Sequence, residues 1–375
     1  MSRMRFFGMS LRRKLYGFRN TKSLVKVVPH AIFLFFTIWV CTVCLDAAYP
    51  RLNSFKAWVA KKDVKVTVVD DFQFSSFDYT ANEHFIESCK SEFTVVTAYY
   101  DIGDQSKYKE GSYVAWNARF FNLNDNMVIY TDIKSVASIA QARQNKKGCT
   151  IIVVQPVHES EIYGLVDWTH ERERDPEKYI HSIELYIIWN QKILWLEQVA
   201  NVNPYHSSHF FWADSGQFRD QTFIDTYVTS GENWVKSADY LPTCKMLFLS
   251  IEYFMRDELS YDDDHSTTPL TSDKVRLGGG NLGGDACAVR RFAYLFRSEL
   301  RHYLRKKYFI GKDQPIYGSI CTTWRDACFI VDAHKVPESQ NPWFALQPVL
   351  HGVTRPVPQY TLHLGSLDRF VSLFD

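Results

Sequence analysis

The 375-residue sequence is low in glycine and proline and lacks several motifs that identify common classes of protein. It contains only 17 glycines and 13 prolines, which excludes a collagen-like or elastic chain. It has no paired Cys-x-x-Cys motifs spaced to hold zinc and no Asn-x-Ser/Thr glycosylation sequon. The Gly-x-Ser-x-Gly motif of many hydrolases is also absent. Hydrophobic residues still make up 46% of the chain, so the sequence predicts a folded protein with a large buried core.

Acidic residues are absent from residues 1–26, although eight of the 43 Lys and Arg residues lie there. The rest of the chain therefore carries an excess of seven acidic groups. Binding to nucleic acid requires a concentrated basic surface. The charge distribution thus argues against DNA or RNA as the partner of this protein.

Charged residues of either sign are absent from residues 27–45. As a helix, nineteen residues would measure about 28 Å, which is close to the hydrocarbon thickness of a bilayer. The basic flank before this segment predicts a signal anchor with a cytosolic N-terminus and a translocated C-terminal part, which is type II topology. A cleaved signal peptide is the main alternative, but no Ala-x-Ala cleavage site follows Leu45.

Composition divides the chain into four predicted parts. They are a basic cytosolic tail at 1–26, the transmembrane signal anchor at 27–45, a stem at 46–90 and a lumenal catalytic domain at 91–375. Six cysteines follow the predicted anchor. This even number allows up to three disulfides but does not choose among the pairings.

Four short apolar runs predict buried strands, because each run ends in polar or turn residues; they are residues 93–98, 127–130, 150–154 and 210–213. Helical periodicity predicts helices over 177–200 and 286–307. Strands that alternate with helices predict an α/β fold with a mostly parallel sheet flanked by helices. In such sheets the ligand binds at the carboxyl ends of the strands.

Acidic residues follow three of the predicted strands, namely Asp101, Asp132 and Asp214. A carboxylate in this position could bind a divalent cation or a ribose hydroxyl, or it could cap the next helix. Both interpretations stay open for Asp132. A ligand is favoured for Asp214, because Gly216 and Arg219 follow closely and arginine pairs well with a diphosphate.

Four other sequence features are weaker evidence for a functional site. Residues 262–264 contain Asp-x-Asp, but their neighbours are typical of a solvated loop. Residues 278–283 fit Gly-x-Gly-x-x-Gly without a surrounding βαβ unit, although the glycines indicate a close backbone approach. Asp285 follows at the start of a predicted helix, either as a cap or as a site carboxylate. His351 and His363 could reach a metal, although an isolated histidine is more often structural.

In their combined order, the motifs resemble those of the HtrL/WlaTC family. The resemblance covers roughly residues 92–330. Its longest pieces are Phe210-Phe-Trp-Ala-Asp-Ser-Gly-Gln-Phe-Arg219 and Gly278-Gly-Gly-Asn-Leu-Gly-Gly284. The shorter pieces lie at residues 94–103, 113–120, 127–132, 186–192 and 203–204. The resemblance implies a GT-A-like glycosyltransferase that uses a nucleotide-sugar donor, expected to be a UDP-sugar, and a glycan acceptor.

The resemblance also implies roles for particular residues. Those expected to bind the nucleotide-sugar are Thr97, Ala98, Tyr99, Asp101, Asp132, Arg219, Gly279, Gly280, Gly283 and Gly284. Asp214 would be a ligand of a Mn²⁺ ion, and His363, one of the two histidines noted above, is the other expected metal ligand. However, Trp212 stands where an Asp-x-Asp motif has its first carboxylate, which weakens the metal expectation. If the reaction inverts the sugar, Asp285 or Asp313 would be the catalytic base; a retaining reaction would need none.

With its anchor and stem, the chain is similar in layout to a Golgi type II membrane glycosyltransferase. We therefore expect a single-pass protein of the Golgi membrane with its catalytic domain in the lumen. The incomplete Asp-x-Asp motif leaves one alternative of another class. In that alternative the chain is a catalytically inactive relative that binds glycans or serves as a scaffold in the secretory pathway.

Overall fold

A computed structural model describes residues 65–76, 87–102, 112–228, 232–255, 258, 261–262, 265–266, 275–337, 339, 341–358, 361–363 and 370–372. All of these residues belong to the compact unit Val59–Asp375. The predicted tail, the predicted signal anchor and most of the predicted stem lie outside them. Within the described ranges, no helix is both long enough and apolar enough to cross a membrane.

Most of the described strands form one central sheet. In chain order the strands are β1 Val66–Asp70, β2 Phe93–Tyr99, β3 Met127–Thr131, β4 Thr150–Val154, β5 His209–Ala213, β6 Met246–Ser250, β7 Tyr261–Asp262, β8 His265–Ser266, β9 Leu277–Asp285, β10 Cys328–Asp332, β11 Thr361–His363 and β12 Phe370–Ser372. The eight-stranded sheet has the order β1-β4-β3-β2-β5-β9-β6-β10. Only β9 runs against its neighbours in this sheet. The predicted α/β fold with a mostly parallel sheet is therefore confirmed.

Helices flank this sheet. They are α1 Asp71–Ser75, α2 Ser112–Phe121, α3 Val136–Arg143, α4 Trp168–Arg174, α5 Ile183–Val202, α6 Gln221–Tyr227, α7 Ala286–Lys306, α8 Asp313–Thr323 and α9 Leu346–Leu350. The long helix α5 begins after its cap Ser182, whose side chain accepts a hydrogen bond from the Leu185 N–H, and it ends at Asn203 in the left-handed conformation. It therefore starts later than the predicted residue 177.

An aromatic stack fixes α5 on the sheet. Trp195 of α5 stacks on Tyr130 of β3, with ring centroids 5.0 Å apart, and on Trp212 of β5, with centroids 5.9 Å apart. All three side chains are fully buried. Large rings of this kind contribute both apolar burial and a defined mutual orientation. The stack therefore sets the height of α5 along β5.

Two parts of the sheet differ from the sequence analysis. Val66–Asp70, placed in the predicted stem, forms the edge strand β1 and pairs in parallel with β4. A disulfide between Cys89 and Cys149 also joins the end of the predicted stem to the start of β4. The glycine-rich segment, for which no strand was predicted, lies in the nine-residue strand β9. The other disulfides among the described residues are Cys244–Cys287 and Cys321–Cys328.

The glycines of β9 allow it to pass very close to β5. A Cβ atom at Gly283 would lie 2.3 Å from the Phe210 carbonyl oxygen and 2.4 Å from Phe211 Cδ1. Backbone atoms cannot give way as a flexible side chain can, so an added methyl group must displace the strand. This close approach explains why a segment with low intrinsic strand propensity is a strand here.

We expect Gly283→Ala to destabilise the protein by about 3 kcal/mol, because β9 must move away from β5. The measurement is the free energy of unfolding in urea. Gly164→Ala is the matched control, since a Cβ there would meet nothing within 4 Å. Equal stability of the two variants would contradict this account of β9.

Candidate functional site

The carboxyl end of β5 and the start of β9 meet at one edge of the sheet. Asp214 follows the last residue of β5, and its backbone N–H donates to the Gly280 carbonyl over 2.8 Å. Because β9 is antiparallel to β5, its first residues lie beside this carboxyl edge and its last residues lie at the opposite edge. Gly279 and Gly280 therefore approach Asp214.

A buried lysine from α5 occupies this edge. Lys192 Nζ lies 3.1 Å from Asp214 Oδ1 and 3.3 Å from Asp313 Oδ2, and it donates to the Gly279 carbonyl over 2.9 Å. The lysine side chain is only 3% exposed. A buried ammonium needs such partners, because leaving it unpaired costs several kcal/mol. We call Lys192, Asp214, Asp313 and the Gly279 carbonyl the lysine centre.

The two carboxylates of the lysine centre have different environments. Asp313 is buried at the first residue of α8, whereas the Asp214 side chain is 41% exposed and accepts a hydrogen bond from Trp212 Nε1. Burial raises the pKa of Asp313 to about 6; Asp214 adds to this rise and Lys192 opposes it. Burial alone would lower the pKa of Lys192, but the two carboxylates raise it above its usual value. The ammonium therefore stays charged.

The four predicted binding glycines separate into two pairs. A Cβ at Gly279 would lie 2.9 Å from Asp313 Oδ2, and one at Gly280 would lie 3.6 Å from Asp214 Oδ2. Gly283 packs on β5, and a Cβ at Gly284 would lie 2.8 Å from Ala288 Cβ. The structure thus brings Gly279 and Gly280 to the lysine centre, whereas the other two are packing residues near the opposite edge.

A cavity of about 630 Å³ opens onto the lysine centre. Its wall includes cations and aromatic rings beside the lysine centre, namely Tyr113, Trp189, Arg219, Lys312, Trp343 and Phe344. The guanidinium of Arg219 lies 4.8 Å from the ring centroid of Trp116 and 5.1 Å from that of Phe344. This volume is in the range of small-molecule sites. Arg219 also borders a neighbouring cavity of about 390 Å³.

The residues predicted to bind the nucleotide from β2 and β3 lie together at the same edge of the sheet. They are Thr97, Ala98, Tyr99, Asp101 and Asp132. Burial raises the pKa of the Tyr99 hydroxyl, and the nearby carboxylates of Asp101 and Asp132 raise it further. Asp132 also accepts from the backbone N–H groups of Lys134 and Ser135, so it caps the turn before α3. Among the described residues, these five lie outside the wall of the 630 Å³ cavity.

Asp285, one of the two predicted catalytic bases, does not join the lysine centre. Asp285 pairs with His209 at the amino end of β5, the opposite edge of the sheet. Its side chain accepts from the backbone N–H groups of Ala288 and Cys244, which makes it the cap of α7, the alternative left open by the sequence. His363 is the last residue of the short strand β11, and its side chain is not among the described parts.

The surroundings of Asp214 fit an ammonium group better than the predicted Mn²⁺. Asp214 Oδ1 faces both Trp212 Nε1 and Lys192 Nζ, and the Lys192 ammonium lies between the two carboxylates of the centre. A divalent cation bound here would be repelled by this charge at short distance. Lys192 thus already places one positive charge beside both carboxylates.

Lys192 is the main residue that the sequence analysis missed. It lies in a strongly apolar helical stretch, Ile187 to Leu196, and a charged side chain in such a stretch is rarely buried without partners. That signal points to a functional or structural ion pair. It does not identify the partners, since Asp214 and Asp313 come from distant segments.

Comparison with known proteins gives a family and a solved structure. Residues 91–346 match the model of a family described as "Bacterial protein of unknown function (HtrL_YibB)". Among solved structures, the chain is similar to the apo form of mouse Xyloside xylosyltransferase 1, with 9% identity and a TM-score of 0.34. This similarity covers 68% of the present chain and 94% of the mouse chain. No curated protein matches the sequence.

The raised pKa of Asp313 predicts a pH-dependent stability. Relative to Asp313→Asn, the wild-type protein should lose about 3 kcal/mol as the pH rises from about 4 through about 6, because the buried carboxyl must ionise. The free energy of unfolding in urea, measured across this pH range, tests the expectation. Asp225→Asn, at an exposed position of α6, is the control and should follow the wild type. Parallel curves for the wild type and Asp313→Asn would contradict the prediction.

Proposed function

The chain belongs to the HtrL_YibB family, and from its cleft we propose that it is a glycosyltransferase that moves a sugar from a nucleotide-sugar to a glycan hydroxyl. One observation carries the proposal. Cations, carboxylates and a glycine-lined backbone converge on a cavity of about 630 Å³ at the carboxyl ends of parallel strands. Ligands bind at this place in open α/β sheets.

The positive charges of the cleft support a diphosphate donor. Departure of a sugar leaves negative charge on the diphosphate, and fixed cations stabilise that charge in the transition state. Arg219 suits this role because it is exposed and its guanidinium is held against Trp116 and Phe344. Lys312 adds a second cation to the same wall. UDP is the nucleotide that we propose.

The lysine centre supports recognition of the sugar. Carboxylates accept hydrogen bonds from sugar hydroxyls, and Lys192 holds Asp214 and Asp313 in place while cancelling part of their charge. Gly279 leaves room for the Asp313 carboxylate, which a Cβ would approach to 2.9 Å. Asp313 also stays a candidate base, because its raised pKa brings it closer to neutrality. We place the base and ribose at the ends of β2 and β3.

We further propose that the protein is a single-pass type II protein of the Golgi membrane with its catalytic domain in the lumen. The charge-free segment at 27–45 with its basic flank supports this topology. The three disulfides of the described ranges support an oxidising compartment, because such bonds persist in the secretory pathway and are rare in the cytosol.

A catalytically inactive glycan-binding or scaffold protein is the second candidate. The observation that favours it is the missing first carboxylate of Asp-x-Asp, which is Trp212 here. Binding of the nucleotide distinguishes the two functions, since a scaffold needs no donor.

Calorimetric titration of the full-length chain with UDP tests the proposal. We expect binding, and we expect Arg219→Ala to weaken it at least about tenfold, because hydrogen bonds to a charged group contribute roughly 1.5–3 kcal/mol. Arg291→Ala is the matched control, since Arg291 pairs with Asp326 on the surface of α7. The titration is repeated with Mn²⁺ and with Asp214→Asn.

The results of this titration distinguish the transferase from the scaffold and show whether a metal takes part in binding. If folded protein binds neither UDP nor another nucleoside diphosphate, the transferase proposal fails and the scaffold is favoured. Binding that requires Mn²⁺ and is lost in Asp214→Asn would assign a metal to Asp214. Metal-independent binding would instead support neutralisation by Lys192 and Arg219.

A further inference from the structure

A second polar cluster borders the same cavity. It consists of Asp175, Glu177 and His181, from the segment between α4 and α5, together with Lys312 just before α8. His181 Nδ1 lies 2.8 Å from Asp175 Oδ2, and Lys312 Nζ lies 2.5 Å from Glu177 Oε2. None of these residues belongs to a site predicted from the sequence.

Asp175 is a buried and fully engaged carboxylate. Besides His181, it accepts hydrogen bonds from the Tyr186 hydroxyl over 2.6 Å and from the Glu177 backbone N–H over 2.9 Å. Burial by itself would raise the pKa of Asp175, but these donors and Lys312 lower it below its usual value. The carboxylate is therefore ionised, and an ionised carboxylate can only accept. The Nδ1 atom of His181 must carry the proton.

In the neutral imidazole, this assignment puts the lone pair on the other ring nitrogen of His181, Nε2. The ring is held nearly perpendicular to those of Tyr186 and Trp189, with centroids 6.0 Å and 5.0 Å apart, and it lines the cavity. Among the described residues, the hydrogen-bond partner of the His181 ring is Asp175 through Nδ1, and the His181 side chain is only 2% exposed. A cavity-lining histidine with Nδ1 held by a carboxylate and no protein partner at Nε2 is arranged as a general base.

Two other roles fit the cluster less well. Asp175, Glu177 and His181 could together ligate a metal, since their ligand atoms lie within 4.8 Å of one another. However, the Lys312 ammonium already pairs with Glu177 and lies 4.0 Å from Asp175. The buried His351 differs from His181, because both of its ring nitrogens bond to backbone carbonyls, those of Trp234 and Tyr227.

We propose that His181 is the catalytic base that deprotonates the acceptor hydroxyl and that Asp175 is its positioning residue. The inference rests on the proposed transferase function. His181 Nε2 takes the hydroxyl proton while the acceptor oxygen bonds to the anomeric carbon of the donor. The bond from that carbon to the diphosphate oxygen breaks, and its electron pair leaves with the diphosphate. Asp175 stabilises the imidazolium, and this single displacement inverts the anomeric configuration.

The test uses the full-length chain with UDP-glucose, UDP-galactose, UDP-xylose and UDP-N-acetylglucosamine, each with water as the acceptor. We measure the rate of UDP release and, by calorimetry, the affinity for UDP. His181→Gln should lower the turnover by about 100-fold or more, because general base catalysis contributes 10²–10⁴-fold. Its affinity for UDP should be unchanged. His170→Gln, at an exposed position of α4, is the matched control and should behave as the wild type.

The possible outcomes distinguish failure of the His181 proposal from failure of the transferase proposal. Unchanged UDP release by His181→Gln overturns the inference and leaves the transferase intact. Equal losses of UDP affinity and release assign His181 a structural role and also overturn it. A wild-type protein that binds no nucleoside diphosphate overturns the transferase itself.

A measurement on the wild-type protein covers the case in which His181→Gln does not fold or no donor releases UDP. Diethyl pyrocarbonate modifies histidines that have a free, unprotonated nitrogen, and mass spectrometry locates the modified residues. His181 should react much faster than His351, whose two nitrogens are both hydrogen bonded. Equal, slow modification of the two histidines would show that the reagent cannot reach His181 Nε2. That result would contradict the proposal that His181 is the catalytic base.

Discussion

The buried ammonium of Lys192 is the constraint on which the candidate site depends. Its partners come from three separate segments: Asp214 after β5, Asp313 at the start of α8, and the Gly279 carbonyl in β9. A buried charge that loses a partner costs several kcal/mol, so the fold and the site are stabilised by the same contacts. The position of α5 determines where that charge lies, and the stack of Trp195 on the sheet determines the position of α5.

The lysine centre also gives its two carboxylates different properties. Asp313 is enclosed and has a raised pKa, whereas Asp214 faces the solvent of the cleft. Two acidic groups in unlike environments can hold their protons at different pH values, which is how one site can contain both an acid and a base. Lys192 lies close enough to both carboxylates to couple their charges. The charge of Asp214 accordingly contributes to the raised pKa of Asp313.

The sequence predicted the fold better than the site, for a physical reason. The strands at 93–98, 127–130, 150–154 and 210–213 follow local hydrophobic patterns, and the structure contains all four with bounds shifted by at most a residue. The strand state of β9 has no such local signal, because it comes from pairing with β5 and β6. Lys192, Asp175 and His181 were missed because their partners are defined only by folding. The same holds for Asp285, whose sequence context fits a helix cap and a site carboxylate equally well.

The reversed direction of β9 decides which part of the glycine-rich segment can take part in chemistry. Its first residues, including Gly279, lie at the carboxyl edge beside the lysine centre, and its end at Asp285 lies at the opposite edge. The lysine centre is linked in turn to the His181 cluster by the peptide bond between Lys312 and Asp313, since each cluster contains one of these residues. The Cα atoms of Lys312 and Asp313 are therefore about 3.8 Å apart. A donor held at the lysine centre and a base at His181 would then face each other across one cavity, as a direct displacement requires.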